Sequence, residues 1–365
     1  MASVAAIPWY IFVSYFLSAP VLKTWEISVE PVFQKSEVNF LAMGDIMLSR
    51  SVGDKIQKAN DPLLPFSQLS SLLESVDFSF ANLETPIVPT KNMWVPGSLI
   101  FSTPESYAVG LQKYNFSVLN LANNHAYDQG KQWLFHTMEY LQKLWIQYVW
   151  SGSNLEEAWK PVIQEKNGIK ICFIGASYAS VNDNGTTQTP YVARTYDIPR
   201  LQQSITTAKT LCHFIIVTMH AGQEYKREPN QFQKEFAHAA VDAGADMVIG
   251  AHPHWIQTIE RYCPNSSAET TLCEKPRYIF YSLGNFIFDQ EWSQDTKEGM
   301  MLDISLSGNS FLVSGEIPLQ NLNNKSISIE LKPVIIENYS TPRLANEQEI
   351  ASILAKIGET SVILK

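Results

Sequence analysis

The chain has 365 residues, 45% hydrophobic and 17% charged, and that apolar content excludes a disordered chain. Its 27 Lys and Arg against 36 Asp and Glu leave a formal charge of −9, which argues against nucleic acid as a partner, because phosphate neutralisation needs a basic face. With 17 Gly and 19 Pro, fibrous repeats are excluded as well.

Met1 to Leu22 carry no Lys, Arg, Asp or Glu, and Trp9–Ala19 is an apolar run of signal-peptide length. Residues 1–22 are therefore expected to be a signal peptide or a membrane anchor, and residues 23–37 a tether. A single domain is expected over 38–345. Short runs rich in Val, Ile, Phe and Tyr predict strands at 38–44, 76–82, 116–122, 146–150, 169–175, 214–219, 246–251 and 277–283. Between them, Leu134, Met138, Leu141 and Trp145 share one helical face, as do Phe232, Phe236, Ala240 and Ala243. Alternating strands and helices mean an α/β fold with parallel or mixed sheets. From about Met300 the pattern turns to strands (MLDISLSG, SFLVSGEI, SISIELKPV), read as a β-rich end of the same domain. A short helix is expected near Asn346–Ile357, within a C-terminal helix and tail over 346–365.

Of the four cysteines, Cys263 and Cys273 lie ten residues apart in one polar loop, a spacing that suits a disulfide and an oxidising compartment. Cys172 and Cys212 sit in or beside apolar runs and read as small buried apolar residues. No CxxC pair is present, so thiolate zinc binding is not expected.

The strand ends carry the chemistry. Successive strands run into Asp45, into Asn82 and Glu84, into Asn123, Asn124 and His125, into His220 with Glu224 and Tyr225 behind it, into His252 and His254, and into Gly284, Asn285 and, farther on, Asp289. In open α/β sheets ligands gather outside the carboxyl ends of strands, so these loops are expected to converge. Imidazole, carboxylate and amide oxygen together suit borderline divalent ions. A carboxylate can bridge two such ions, and the two histidines of HPH can face different ones. The remaining histidines, His136, His213 and His238, read as solvated or structural.

In this order, GDIMLSR, FANLETP, NLANNHAYDQG, TMHAGQEY, GAHPHWIQ and YSLGNFIFDQ resemble the CapA, or poly-γ-glutamate capsule (PGA-cap), family, a branch of the calcineurin-like metallophosphoesterases. The resemblance covers residues 38–306. It implies a four-layer α/β/β/α sandwich, two mixed sheets flanked by helices, with the site at one sheet end. It also implies one or two divalent ions (Mn, Zn or Fe). Asp45 would hold the first ion, Glu84 would bridge, Asn124, His220 and His252 would complete the second, and His254 would return to the first. His125 would contact the substrate or protonate the leaving group. Asn82, Glu224, Tyr225 and Asn285 would line the substrate position, with Arg50 as an anion contact. One position departs from the superfamily: Met47 stands where a histidine usually follows the first aspartate, and a thioether is a poor ligand for a hard divalent ion.

The resemblance implies a capsule-synthesis protein of the cell envelope, outward-facing, carrying a metal-dependent hydrolase site for a phosphoester or an anionic polymer. Two alternatives stand beside it. One is a non-catalytic, membrane-anchored member of a capsule synthesis complex, serving polymer export or attachment. The other is a cytosolic metal-dependent phosphodiesterase.

Overall fold

A computed structural model describes residues 32–89, 98–149, 151–178, 191–264, 273, 275–312, 322–358 and 363–364. The expected signal peptide or anchor over 1–22 lies outside the described residues. In chain order the first strands are β1 (Val32–Ile46), β2 (Phe78–Leu83), β3 (Ile87–Val88), β4 (Thr103–Pro104), β5 (Phe116–Asn120), β6 (Gln147–Val149), β7 (Val162–Lys166) and β8 (Ile169–Ser177). They are followed by β9 (Phe214–His220), β10 (Met247–Ala251), β11 (Ile259–Tyr262), β12 (Arg277–Phe280), β13 (Asn285–Ile287), β14 (Glu298–Leu312), β15 (Asn323–Glu337), β16 (Thr341–Leu344) and β17 (Ile363–Leu364). The helices are α1 (Arg50–Ala59), α2 (Ser70–Glu74), α3 (Val109–Lys113), α4 (Lys131–Lys143), α5 (Leu155–Ala158), α6 (Ile198–Ala208), α7 (Gln231–Ala243), α8 (Gln294–Lys297) and α9 (Glu347–Lys356).

Two mixed sheets carry the fold. The first runs β16-β15-β14-β1-β2-β5-β6, with β13 added to β1 and β17 to β15. The second runs β11-β12-β10-β9-β8-β7. They pack face to face through aromatic rings: Phe173 of β8 stacks on Phe80 of β2 at 5.2 Å and meets Phe40 and Phe78 edge-on, each at 6.3 Å. On the outer face of the second sheet, α6 buries Leu201, Ile205 and Ala208, and α7 buries Phe236, Ala237, Ala240 and Val241. Helices α3 and α4 pack against β5 and β6 of the first sheet. The architecture is the expected four-layer α/β/β/α sandwich.

Local chemistry sets the helix ends. α7 opens on a capping box between Asn230 and Gln233 and closes on Gly244 at φ 116°; α9 opens on a second box between Asn346 and Glu349. At the end of β1 the strands approach so closely that a Cβ on Gly44 would meet the Gly284 carbonyl oxygen at 1.8 Å. The pairing of β1 with β2 shifts register between Ala42 and Asp45, a bulge that re-aims Asp45 at the sheet edge.

Several expectations are corrected. β1 begins at Val32, pairing with Leu312, so the end of the expected tether belongs to the first sheet. Trp145 lies past the end of α4 at φ 61° and is exposed, and Phe232 is exposed on the first turn of α7. Each apolar stripe thus overran its helix's buried face by one residue. The C-terminal tail adds more than a helix, because β17 pairs with β15. Cys172 and Cys212 are bonded to each other, joining β8 to the turn after α6. Burial was read correctly there; the partnership was not, because the 40-residue separation hides that both flank the α6 crossover. The Cys263–Cys273 disulfide is present as expected.

Candidate metal centre

Parallel neighbours carry their carboxyl ends to one edge, and there the two sheets contribute complementary donors. From the first sheet come Asp45 of β1, Glu84 just beyond β2, and Asn124 and His125 beyond β5. From the second come His220, the last residue of β9, and His252 and His254 beyond β10. All seven are buried. The backbone amide of His252 donates to Asp45 Oδ2 at 3.3 Å, so the sheets touch directly here. His252 and His254 sit at φ 103° and 58°, a strained backbone for side-chain-bearing residues that aims both rings inward.

Two donor groups share Glu84: one joins it with His220 and His252, the other with Asp45 and His254, and within each group the ligand atoms lie within 4.8 Å of one another. Glu84 Oε1 is 3.7 Å from His125 Nε2 and 3.8 Å from His220 Nε2. Asn124 Oδ1 lies 2.6 Å from His220 Nε2, which places the amide beside the group holding His220. His254 Nδ1 lies 3.5 Å from Asp45 Oδ2.

Electrostatics favour a cation here. Burial, reinforced by the neighbouring Asp45 charge, holds the Glu84 carboxyl well above the usual carboxylate range. Burial pushes His252 down to about 3 and His220 well below its ordinary value, so both rings are neutral near pH 7. Among the described residues, the ion pairs of Asp45 and Glu84 are with histidine rings rather than with Lys or Arg. Glu84 Oε1, His220 Nδ1 and His252 Nδ1 are buried without a hydrogen-bond partner. Unpartnered lone pairs and paired carboxyls without a cation, gathered in two groups around one glutamate, are a donor set that fits a divalent ion.

His125 is fixed from two sides. Its Nδ1 lies 2.8 Å from Asp128 Oδ2, and its ring stacks on Phe101 with centroids 3.9 Å apart. Asp128 also accepts the Phe101 backbone N–H at 2.6 Å, and burial raises its carboxyl. Sequence reasoning missed Asp128 and Phe101. The position of Asp128, three residues after His125, was the available signal; nothing local marked Phe101.

The residues expected to line the substrate divide. Tyr225 lies at φ 61° with its ring 6.0 Å from His254, its hydroxyl accepting from Gln290 Nε2 at 3.2 Å. Burial and the adjacent half-buried Glu224 raise that phenol. Asn285 is fully buried and holds His254: its Oδ1 lies 2.9 Å from His254 Nδ1 and its Nδ2 donates to the Thr296 carbonyl at 2.9 Å. Asn82 lies behind the carboxylates, donating to Asp45 Oδ1 at 2.7 Å. Arg50 is committed elsewhere, in a two-pronged ion pair with Asp289 and stacked over Phe101 and Phe288. Met47 is fully buried, its sulfur accepting the Ser49 N–H at 3.1 Å. His136 and His238 pair with Glu105 and Glu260 away from the cluster.

The fold is that of a four-layer sandwich whose sheet edge carries two donor groups that could hold a metal ion, and comparison gives its kinship. Residues 39–290 match the profile of the family described as bacterial capsule synthesis protein PGA_cap, and the chain belongs to that family. It is 34% identical over 275 residues to the PGA biosynthesis protein CapA of Bacillus subtilis (strain 168), covering 73% of this chain and 67% of that one. It is 29% identical over 326 residues to the capsule biosynthesis protein CapA of Bacillus anthracis, covering 86% and 76%. Among solved structures, the NAD nucleotidase NadN of Haemophilus influenzae superposes with a TM-score of 0.47 at 13% identity, over 90% of this chain and 64% of that one. That overlay is too loose to bear on the site.

Proposed function

We propose that this chain serves capsule-polymer biosynthesis as a metal-dependent hydrolase, acting on a phosphoester or on a linkage in an anionic polymer such as poly-γ-glutamate. The observation that carries this reading is the pair of buried donor groups sharing Glu84. Asp45, Glu84 and His254 would hold one ion; Glu84, Asn124, His220 and His252 the other. A divalent ion so held supplies Lewis acidity toward the oxygens of the scissile group. The protein's own part is then positioning and proton handling: Asp128 and Phe101 fix His125 so that Nε2 faces the cluster, where it can hold or deliver a proton. Tyr225 and Glu224 would border the substrate.

The reading extends to location and partners. Both disulfides suit an oxidising compartment, which supports an exported or outward-facing protein beside membrane-bound polymer machinery and disfavours the cytosolic alternative. Among the described residues no helix is long and apolar enough to cross a membrane; the apolar run within residues 1–22 is the segment we propose exports or anchors the chain. The non-catalytic alternative draws on Met47, whose engaged sulfur leaves the first group with three donors.

Metal analysis of the chain, purified without chelators or a histidine tag, tests the proposal. One to two equivalents of Mn, Zn or Fe are expected, with loss in Glu84→Gln and His252→Ala, together with turnover of phosphoester or γ-glutamyl substrates. No metal after reconstitution with Mn or Zn would overturn the hydrolase. Metal without turnover would favour the non-catalytic role.

A further inference from the structure

Asn82, Asp45 and Asn120 occupy one row across three parallel strands, since Asp45 pairs in register with Asn82 and Asn82 with Asn120. The orientation of each amide in this row is dictated by the backbone. Asn120 Oδ1 accepts the Ala122 N–H at 2.8 Å, so its Nδ2 must donate, and it does so to Asn82 Oδ1 at 2.6 Å. Asn123 Oδ1 accepts the His125 N–H at 3.1 Å, so its Nδ2 donates to the Leu83 carbonyl at 2.7 Å and to Asn82 Oδ1 at 3.3 Å. Two donors therefore converge on the Asn82 oxygen. Its NH2 can only face the other way, where it donates to Asp45 Oδ1 at 2.7 Å and to Glu84 Oε2 at 3.5 Å. Flipping Asn82 would set its NH2 against two other NH2 groups and its oxygen against two carboxyls. All three asparagines are buried, so each mismatch would be uncompensated by solvent.

We infer that Asn82 is a positioning residue for the metal centre: a neutral clamp, aimed by backbone amides through Asn120 and Asn123, that holds Asp45 and Glu84 side by side before an ion arrives. The inference rests on the metal reading above and goes beyond it, because it ranks the two donor groups. The short contact is to Asp45, which belongs only to the group with His254; the contact to the shared Glu84 is 0.8 Å longer (3.5 Å against 2.7 Å). Losing the clamp should therefore damage the first ion's position far more than the second's. Partners of this kind, one shell out, commonly change metal affinity 10–100-fold.

The test is calorimetric titration of the metal-stripped chain with Mn(II), comparing wild type with Asn82→Leu and Asn82→Ser and checking the fold of each by circular dichroism. Leucine is near-isosteric but removes the acceptor that Asn120 and Asn123 share, leaving each its bond to a backbone carbonyl; serine is a small polar replacement, one atom too short to reach Asp45. Both are expected to weaken one Mn(II) site about 10–100-fold and leave the other within about threefold. The surviving site should vanish when His252→Ala is added, since His252 belongs only to the second group. A general packing role would lower both affinities together, and in a folded serine variant that result overturns the inference. Two unchanged affinities overturn it equally. A wild type that binds neither Mn(II) nor, in the same titration, Zn(II) brings down the metal reading and this inference with it.

Discussion

Arg50 illustrates how a residue's type can suggest one role and its surroundings another. A cation beside a strand-end cluster reads as an anion contact. In the fold its guanidinium is taken by Asp289, whose Oδ2 also accepts the Ser51 N–H at 3.0 Å at the start of α1, and it stacks over Phe101 and Phe288. Those rings touch the centre in turn, Phe101 stacking on His125 and Phe288 lying 4.8 Å from His254. Arg50→Met should thus act mainly on stability, leaving the mostly buried Asp289 carboxylate without its cation at a cost of about 3 kcal/mol, read as a lower urea midpoint. A change confined to substrate affinity would restore the anion-contact role. At this scale the donor residues were legible, because imidazoles and carboxyls after apolar runs have few structural reasons to recur in order. Their supports were less so. Asn82 stood out, but as a residue lining the substrate; Asp128 was marked only by standing three residues after His125; Phe101 belongs to the site through contacts such as the 2.6 Å bond from its amide to Asp128, which no local pattern encodes.

Among the elements, the central strands were legible for a physical reason: buried on both faces, they must be apolar throughout, and β9 and β10 are buried at every position. Helix ends were less so, since a stripe such as Leu134, Met138, Leu141 and Trp145 does not say where the Leu144 C-cap will stop it. Covalent pairing between elements was the least legible. The Cys172–Cys212 bond spans 40 residues and staples β8 to the far end of the α6 crossover, whereas Cys263–Cys273 closes a loop of 10. Loop-closure entropy makes the longer staple worth about 4 kcal/mol and the shorter about 3. Replacing Cys172 and Cys212 together by Ala should accordingly lower the unfolding free energy more than the same change at Cys263 and Cys273, as chemical denaturation would show. The reverse order would mean that native-state packing, not chain constraint, sets their worth.

For the whole molecule, acid sensitivity has a source far from the centre. His213 is buried just ahead of β9; its Nδ1 accepts the Lys170 N–H at 2.9 Å, and burial with nearby Lys325 and Lys170 pushes its pKa down to about 4. The sign follows directly. Above the unfolded value of about 6.5 the ring is neutral in both states. As pH falls from there toward 4 the unfolded chain takes up a proton that the folded chain refuses, and stability is lost. His213→Asn, which keeps an acceptor, should spare about 2 kcal/mol of the wild type's loss between pH 7 and pH 4.5; equal losses would mean that the ring titrates normally in the fold. The broader consequence lies in where the donors come from. Asp45 and Glu84 stand on one sheet and His220, His252 and His254 on the other, with Asp45 and His252 207 positions apart in the chain. Neither sheet alone offers a complete set, so the centre comes into being only as the two halves dock. The ion of the proposed function would therefore bind the docked, folded chain rather than either half of it, and metal uptake would follow folding instead of nucleating it.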